Sequence, residues 1–259
     1  MRMMKKVLGT VTVLALSVSL LAGCGSTAVS PVSSTASTAA ESTTSSVVSE
    51  TTSAAADENA AAAAQLLNDL TGSYQELWPV ILADEYQQTW LDDCTALVGE
   101  ENAEAAFEKL SSMVTGDVYG EDAVEAYANG GGAYFCGFTN SLATLTFDGE
   151  TSTISGTDKD GNVLFSHTYH YIGMEPVRGL YEFQSDDADS SEFTYFFLAP
   201  DTSAETYHIE FRYGSDAEAL SQYDTGEYAF WLASGISTDC DQTMIDNCIE
   251  LFCTENLAG

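Results

Sequence analysis

Between residues 134 and 213 the chain carries seven short runs rich in aromatic and β-branched residues: Tyr134 to Phe138, Ala143 to Phe147, Ser152 to Gly156, Val163 to Gly173, Gly179 to Gln184, Glu192 to Ala199 and Thr206 to Tyr213. Turn-forming groups separate them, namely Asp148-Gly149, Asp160-Gly161, Ser185-Asp186-Asp187 and Pro200-Asp201. Side chains of this kind suit a pleated, half-buried surface, and Asp-Gly pairs reverse the chain between strands. Short strands at even spacing predict an antiparallel sheet closed on itself, because closure removes unpaired edges. The expected class is mainly β, a barrel with flanking helices.

Gly130-Gly131-Gly132 mark where this regime begins, since three glycines in a helix interior carry too large an entropic cost. Upstream, Leu66, Leu67, Leu70, Tyr74, Leu77, Trp78, Ile81 and Leu82 recur at the helical period. Pro79 interrupts them, so two short helices or a first-turn proline fit better than one rod. Ala103, Ala106, Phe107, Leu110 and Met113 predict a second helix over Asn102 to Val114, and Glu121 to Ala128 a short third. At the far end Met244, Ile245, Cys248, Ile249 and Phe252, with Asp246, Asn247 and Glu250 between them, predict an amphipathic helix outside the barrel or across one end.

The N-terminus has the layout of a signal peptide: Arg2, Lys5 and Lys6, then an apolar run from Val7 to Leu21. That run is shorter than the ~20 residues needed to span a hydrocarbon core. Leu20-Leu21-Ala22-Gly23-Cys24 resembles the box that bacterial lipoprotein signal peptidase cleaves, which implies that Cys24 becomes residue one and is acylated. Residues beyond it are nearly all Ser, Thr, Ala and Val, a composition that cannot offset ordering entropy by burial. The expected organisation is a signal peptide over 1–23, a lipid-bearing Cys24 with a linker over 24–64, and a barrel domain over 65–259. The expected location is the extracytoplasmic face of the cell membrane, with membrane contact through the lipid alone.

The chain holds 40 acidic residues against seven Lys and Arg, a formal net charge of -33. Beyond Cys24 the basic residues are Lys109, Lys159, Arg178 and Arg212. Nucleic-acid affinity depends on Lys and Arg displacing counterions, so nucleic acid is excluded as a partner. Acidity of this degree favours solubility and concentrates cations near the surface. Of the six cysteines, five remain beyond Cys24, an odd number without CxxC spacing, and free core thiols are expected for most. GxSxG, GxxxxGK and HExxH motifs are missing, and Asp186-Asp187 reads as a solvated turn rather than an acid and base pair, so no enzymatic activity is expected.

Strand parity sorts the remaining candidates. Tyr207, Ile209, Phe211 and Tyr213 share one face, and His208, Glu210 and Arg212 the other. His167 falls with Phe165, Tyr169 and Tyr171, whereas His170 falls with Leu164, Ser166 and Thr168. Without a bulge, the two histidines face opposite sides.

Glu192-Phe-Thr-Tyr-Phe-Phe-Leu-Ala-Pro200 followed by Thr206-Tyr-His-Ile-Glu-Phe-Arg-Tyr-Gly214 resembles the core of the ZinT family. Leu70-Thr-Gly-Ser-Tyr-Gln-Glu-Leu-Trp-Pro79 is similar to that family's opening helix, and Gly226-Glu-Tyr-Ala-Phe-Trp231 to a late aromatic segment, so the likeness spans about Leu70 to Cys253. The resemblance implies a lipocalin-like (calycin) barrel, exported, that binds zinc through three histidines and delivers it to a metal-uptake transporter. Of those three positions only His208 keeps its histidine, while Phe196 and Thr206 occupy the other two. A compensated site for zinc or another divalent metal ion would then use His208 and His170, with His167, Glu210 or Glu205 completing the shell. The alternative is a calycin-like barrel that has lost its metal and binds an apolar ligand, a peptide or a protein partner.

Overall fold

The structure is a computed structural model that describes residues 58–129, 132–199 and 208–258. The expected signal peptide, the acylated Cys24, most of the linker, Glu205 and Thr206 lie outside the described residues.

Eight strands form a closed antiparallel barrel in chain order. They are β1 (Gly72–Glu76), β2 (Thr144–Asp148), β3 (Thr153–Thr157), β4 (Val163–Met174), β5 (Tyr181–Ser185), β6 (Tyr195–Leu198), β7 (His208–Gly214) and β8 (Ala233–Ser237), and β8 pairs back onto β1. The helix over 58–69 (α1) precedes the barrel. Between β1 and β2 lie α2 (Leu77–Ile81), α3 (Gln87–Val98), α4 (Glu100–Val114) and α5 (Glu121–Ala128). The short α6 (Ala217–Leu220) follows β7, and α7 (Gln242–Leu257) follows β8.

Two strands lie where the sequence pointed elsewhere. The helical period through Tyr74 runs across what is β1. Gly72, at φ +146°, adopts a backbone conformation that L side chains rarely take, which stops α1, and Tyr74 alone of the strand is then buried. Conversely, Tyr134 to Phe138 is not a barrel strand. Phe135 forms isolated bridges to Thr115 and Trp231, and Cys136 accepts at its carbonyl from the Ser234 amide at 3.0 Å. The run thus hydrogen-bonds to the start of β8 and to the segment that leads into it. That last strand, Ala-Ser-Gly-Ile-Ser, lacks the aromatic signature because it closes the barrel at short range: a Cβ on Gly235 would meet Ile209 Cγ1 at 3.0 Å. Pro79 sits in the first turn of α2, where its missing N–H costs nothing.

Two apolar layers hold the molecule together. The first fills the barrel and includes Leu145, Phe147, Ile154, Phe183, Phe196, Phe211 and Tyr213, all essentially without solvent contact, with α1 contributing Ala63, Leu66 and Leu67. Full burial of each such side chain is worth roughly 1.5–3 kcal/mol. The second lies between α2, α3, α4 and α7, and Ile236 joins it from the outer face of β8. Asp241 caps α7 by accepting from the Met244 amide at 3.0 Å, and Ile245, Cys248, Ile249 and Cys253 form its buried stripe. Phe252 packs edge-on against Trp78 at 4.8 Å between ring centroids. The C-terminal helix therefore lies outside the barrel, as its amphipathic pattern suggested.

Candidate functional site

β7 presents the two faces that its alternation demands. Ile209, Phe211 and Tyr213 belong to the barrel interior, whereas His208 and Glu210 line a cavity of about 30 Å³ on the outer wall. Leu77, Trp78 and Ile81 of α2 and Cys248, Leu251, Phe252 and Glu255 of α7 complete that lining. That volume is enough to admit water or a small ion. Its potential donors are an imidazole, two carboxylates and a thiol, a set that suits zinc in kind. Burial, with Cys240 nearby, pushes the Cys248 thiol up to about 12, which leaves it the weakest donor of the four at neutral pH.

Sequence reasoning placed Cys248 in the packing stripe and passed over Glu255. Their separation of seven residues, two helical turns, was the signal that both would sit on the face of α7 turned to β7.

The other two histidines stand elsewhere. β4 is three strands from β7 around the barrel, and its alternation divides His167 from His170 as expected. His167 lies on the inner face, its side chain 16% exposed, and its Nδ1 meets Asp187 Oδ2 at 2.6 Å. The outward His170 is 52% exposed and meets Asp186 Oδ1 at 2.6 Å. The Tyr169↔Ser185 register of the β4–β5 pair brings the turn alongside, and the Asp186 amide donates to Thr168 O at 2.8 Å. The two turn aspartates that read as solvated acids are thus partners of the two histidines. The expected constellation of His208, His170, His167 and Glu210 does not converge. Strand parity and the distance around the barrel leave only His208 and Glu210 together. Among the described residues no group of three or more His, Cys, Asp or Glu side chains is placed to hold a metal ion.

The interior is no substitute. Phe196, at one of the three positions where the resemblance expects a ligand, is fully buried among Tyr213 at 5.3 Å, Tyr169 at 5.4 Å and Phe165 at 5.8 Å between ring centroids. The polar tips there are already used: the Tyr169 hydroxyl donates to Phe193 O, and the Tyr213 hydroxyl donates to Thr139 O at 2.9 Å. Burial raises both phenols above their ordinary range, so neither supplies a phenolate. Phe196 and His208, moreover, lie on opposite sides of the barrel wall.

Arg212, third on the polar face of β7, has no solvent contact. Its guanidinium donates to the carbonyls of Leu220, Gln222 and Tyr228 and stacks on the Tyr223 ring at 4.3 Å, while Arg178 stands 4.3 Å from the same ring. Burial lowers the Arg212 pKa, yet this bonding keeps it structural.

No family model matches the chain, and no curated protein matches it. Among solved structures it is similar to the Zn(II)-bound ZinT-like domain of Streptococcus pneumoniae AdcA, at 16% identity and a TM-score of 0.44, covering 71% of this chain and 89% of that one. It is also similar to Zn(II)-bound AdcA from Streptococcus pneumoniae, at 14% identity and a TM-score of 0.42, covering 72% of this chain and 35% of that one.

Proposed function

We propose that this chain is a lipid-anchored, extracytoplasmic binding protein without enzymatic activity, and that it takes up a divalent metal ion, zinc first, on the outer wall of its barrel for transfer to an uptake transporter. The observation that supports the metal reading is that His208, Glu210, Cys248 and Glu255 line one small cavity. The donor types suit zinc, but the donors do not form a ready shell of three. Binding therefore requires side chains to turn, and the affinity falls below that of a preformed site, whose ligands are already oriented. The address rests on the Cys24 box and its preceding apolar run.

Zinc titration of the full chain by calorimetry tests the reading. One equivalent is expected to bind, with at least a tenfold loss for His208→Ala combined with Glu210→Gln and no change for His170→Ala. Absence of stoichiometric binding, or binding indifferent to the double substitution, would refute it. Labelling with a radioactive fatty acid, lost in Cys24→Ala, tests the address separately.

A second reading, docking of a protein partner, draws on one observation. Ile172 and Met174 on the outer face of β4 and Val177 in the following turn are exposed large apolar side chains. A photo-crosslinker placed at Ile172 in living cells would trap such a partner, and a clean crosslinking profile would dismiss it. The apolar-ligand form of this reading is disfavoured, because aromatic rings occupy the barrel interior.

A further inference from the structure

Cys94 of α3 and Cys253 of α7 face each other across the second apolar layer, with 3.9 Å between their sulfurs. Both are fully buried, and 159 residues of sequence separate them. The sulfurs are thus in van der Waals contact, against about 2.0 Å in a disulfide. We infer that under oxidising conditions Cys94 and Cys253 join in a disulfide that fastens the C-terminal helix to the helical layer. The inference is independent of the metal reading.

Several observations single out this pair. An odd set of five cysteines beyond Cys24 leaves at least one thiol over, and Cys136 is placed elsewhere, with its thiol directed at Tyr134 O at 3.9 Å. Cys240 is half-buried at the end of the β8–α7 connection, and Cys248 faces the outer cavity. Cys94 and Cys253 lie within hydrogen-bonding reach of each other. Their surroundings are largely apolar, so the paired form removes two buried S–H groups.

The chemistry is thiol–disulfide exchange with a small-molecule disulfide such as oxidised glutathione. One cysteine thiolate attacks the oxidant and displaces a glutathione thiolate, giving a mixed disulfide. The second cysteine thiolate then attacks the protein sulfur of that mixed disulfide and displaces the other glutathione. Two protein thiols become one S–S bond, while two electrons and two protons pass to the oxidant, which leaves as two thiols. Because both sulfurs are buried in the folded chain, the exchange takes place before α7 has docked.

The test is refolding of the full chain in a glutathione redox buffer, followed by alkylation under denaturing conditions and peptide mapping. The expected product is lighter by two hydrogens and has one crosslink joining the peptides that carry Cys94 and Cys253. Cys94→Ser should abolish the crosslink, and Cys94→Ala, better suited to an apolar layer, should do the same if the serine variant fails to fold. Cys136→Ala and Cys240→Ala should retain it. The oxidised protein should lose roughly 5–15 °C of Tm on reduction, since the bond closes a long loop in the unfolded chain. Cys253→Ala should show no response to reductant. Recovery of all these thiols free, or a crosslink through Cys240 or Cys248, would overturn the inference.

Discussion

On β7, Ile209, Phe211 and Tyr213 enter a packed aromatic interior, whereas His208 and Glu210 face a small cavity beneath α7. One strand therefore serves two environments with opposite demands. Inside, shape is everything, the polar tips of Tyr169 and Tyr213 are already bonded, and a change of one side chain disturbs many neighbours. Outside, an imidazole, two carboxylates and a thiol are among the groups that line a small cavity bounded partly by a helix. The difference teaches that polar side chains of β7 find room only on the outer side of the wall, while Phe196 and its neighbours leave none within.

The strongest way to break this contrast is Phe196→Ala, which opens a cavity in the interior and should cost about 3–5 kcal/mol by urea denaturation. Its counterpart, Phe196→His, places an imidazole inside and should still destabilise the fold, by about 2–4 kcal/mol, without raising zinc affinity, because His208 points the other way. A gain of zinc binding in that variant would show that the two sides of the wall communicate. Arg212→Gln should cost about 3 kcal/mol, as the buried carbonyls of Leu220 and Tyr228 lose their donor. A smaller loss would mean that water replaces the guanidinium.

Much less is expected of the other polar sites. His170→Ala, which removes a largely exposed pair with Asp186, should change stability by less than about 1 kcal/mol in the same denaturation assay. The smallest effect concerns pH. Burial, with other carboxylates beside them, raises Asp93 and Glu182. The folded protein holds those protons more tightly than the unfolded chain, so stability grows as pH falls from neutrality toward the carboxylate range and declines as pH rises through the folded-state values. Relief of repulsion among the acidic residues acts in the same direction. A thermal scan should show Tm about 1–3 °C higher at pH ~5.5 than at pH ~7.5, and a lower Tm at the acid end would contradict the assignment.

What the sequence disclosed and what it withheld have physical causes. α5 coincides with its expected span, and the strands from Ala143 to Gly173 lie close to theirs, because hydrophobic period and turn residues are local signals. The division of β7 into two faces and the separation of His167 from His170 were equally legible from parity. β1 was not, since its burial rests on Tyr74 alone within a helical repeat. β8 was not either, because small residues that let strands approach carry no strand propensity of their own. The His170–Asp186 and His167–Asp187 pairs depended on hairpin register, and the Cys248 and Glu255 side of the cavity on how α7 docks. Those are long-range relations that no window of sequence contains.

The ring of Tyr223, held between Arg178 and Arg212, has a consequence for how molecules of this protein meet one another. Two of the four cationic side chains beyond Cys24 stack on this one aromatic ring, and the other two, Lys109 and Lys159, are exposed and temper the acidic surface. Neighbouring copies therefore repel, over a range of about 10 Å at 0.1 M salt. Crowding of such molecules is thus resisted at low ionic strength and eased as salt is added.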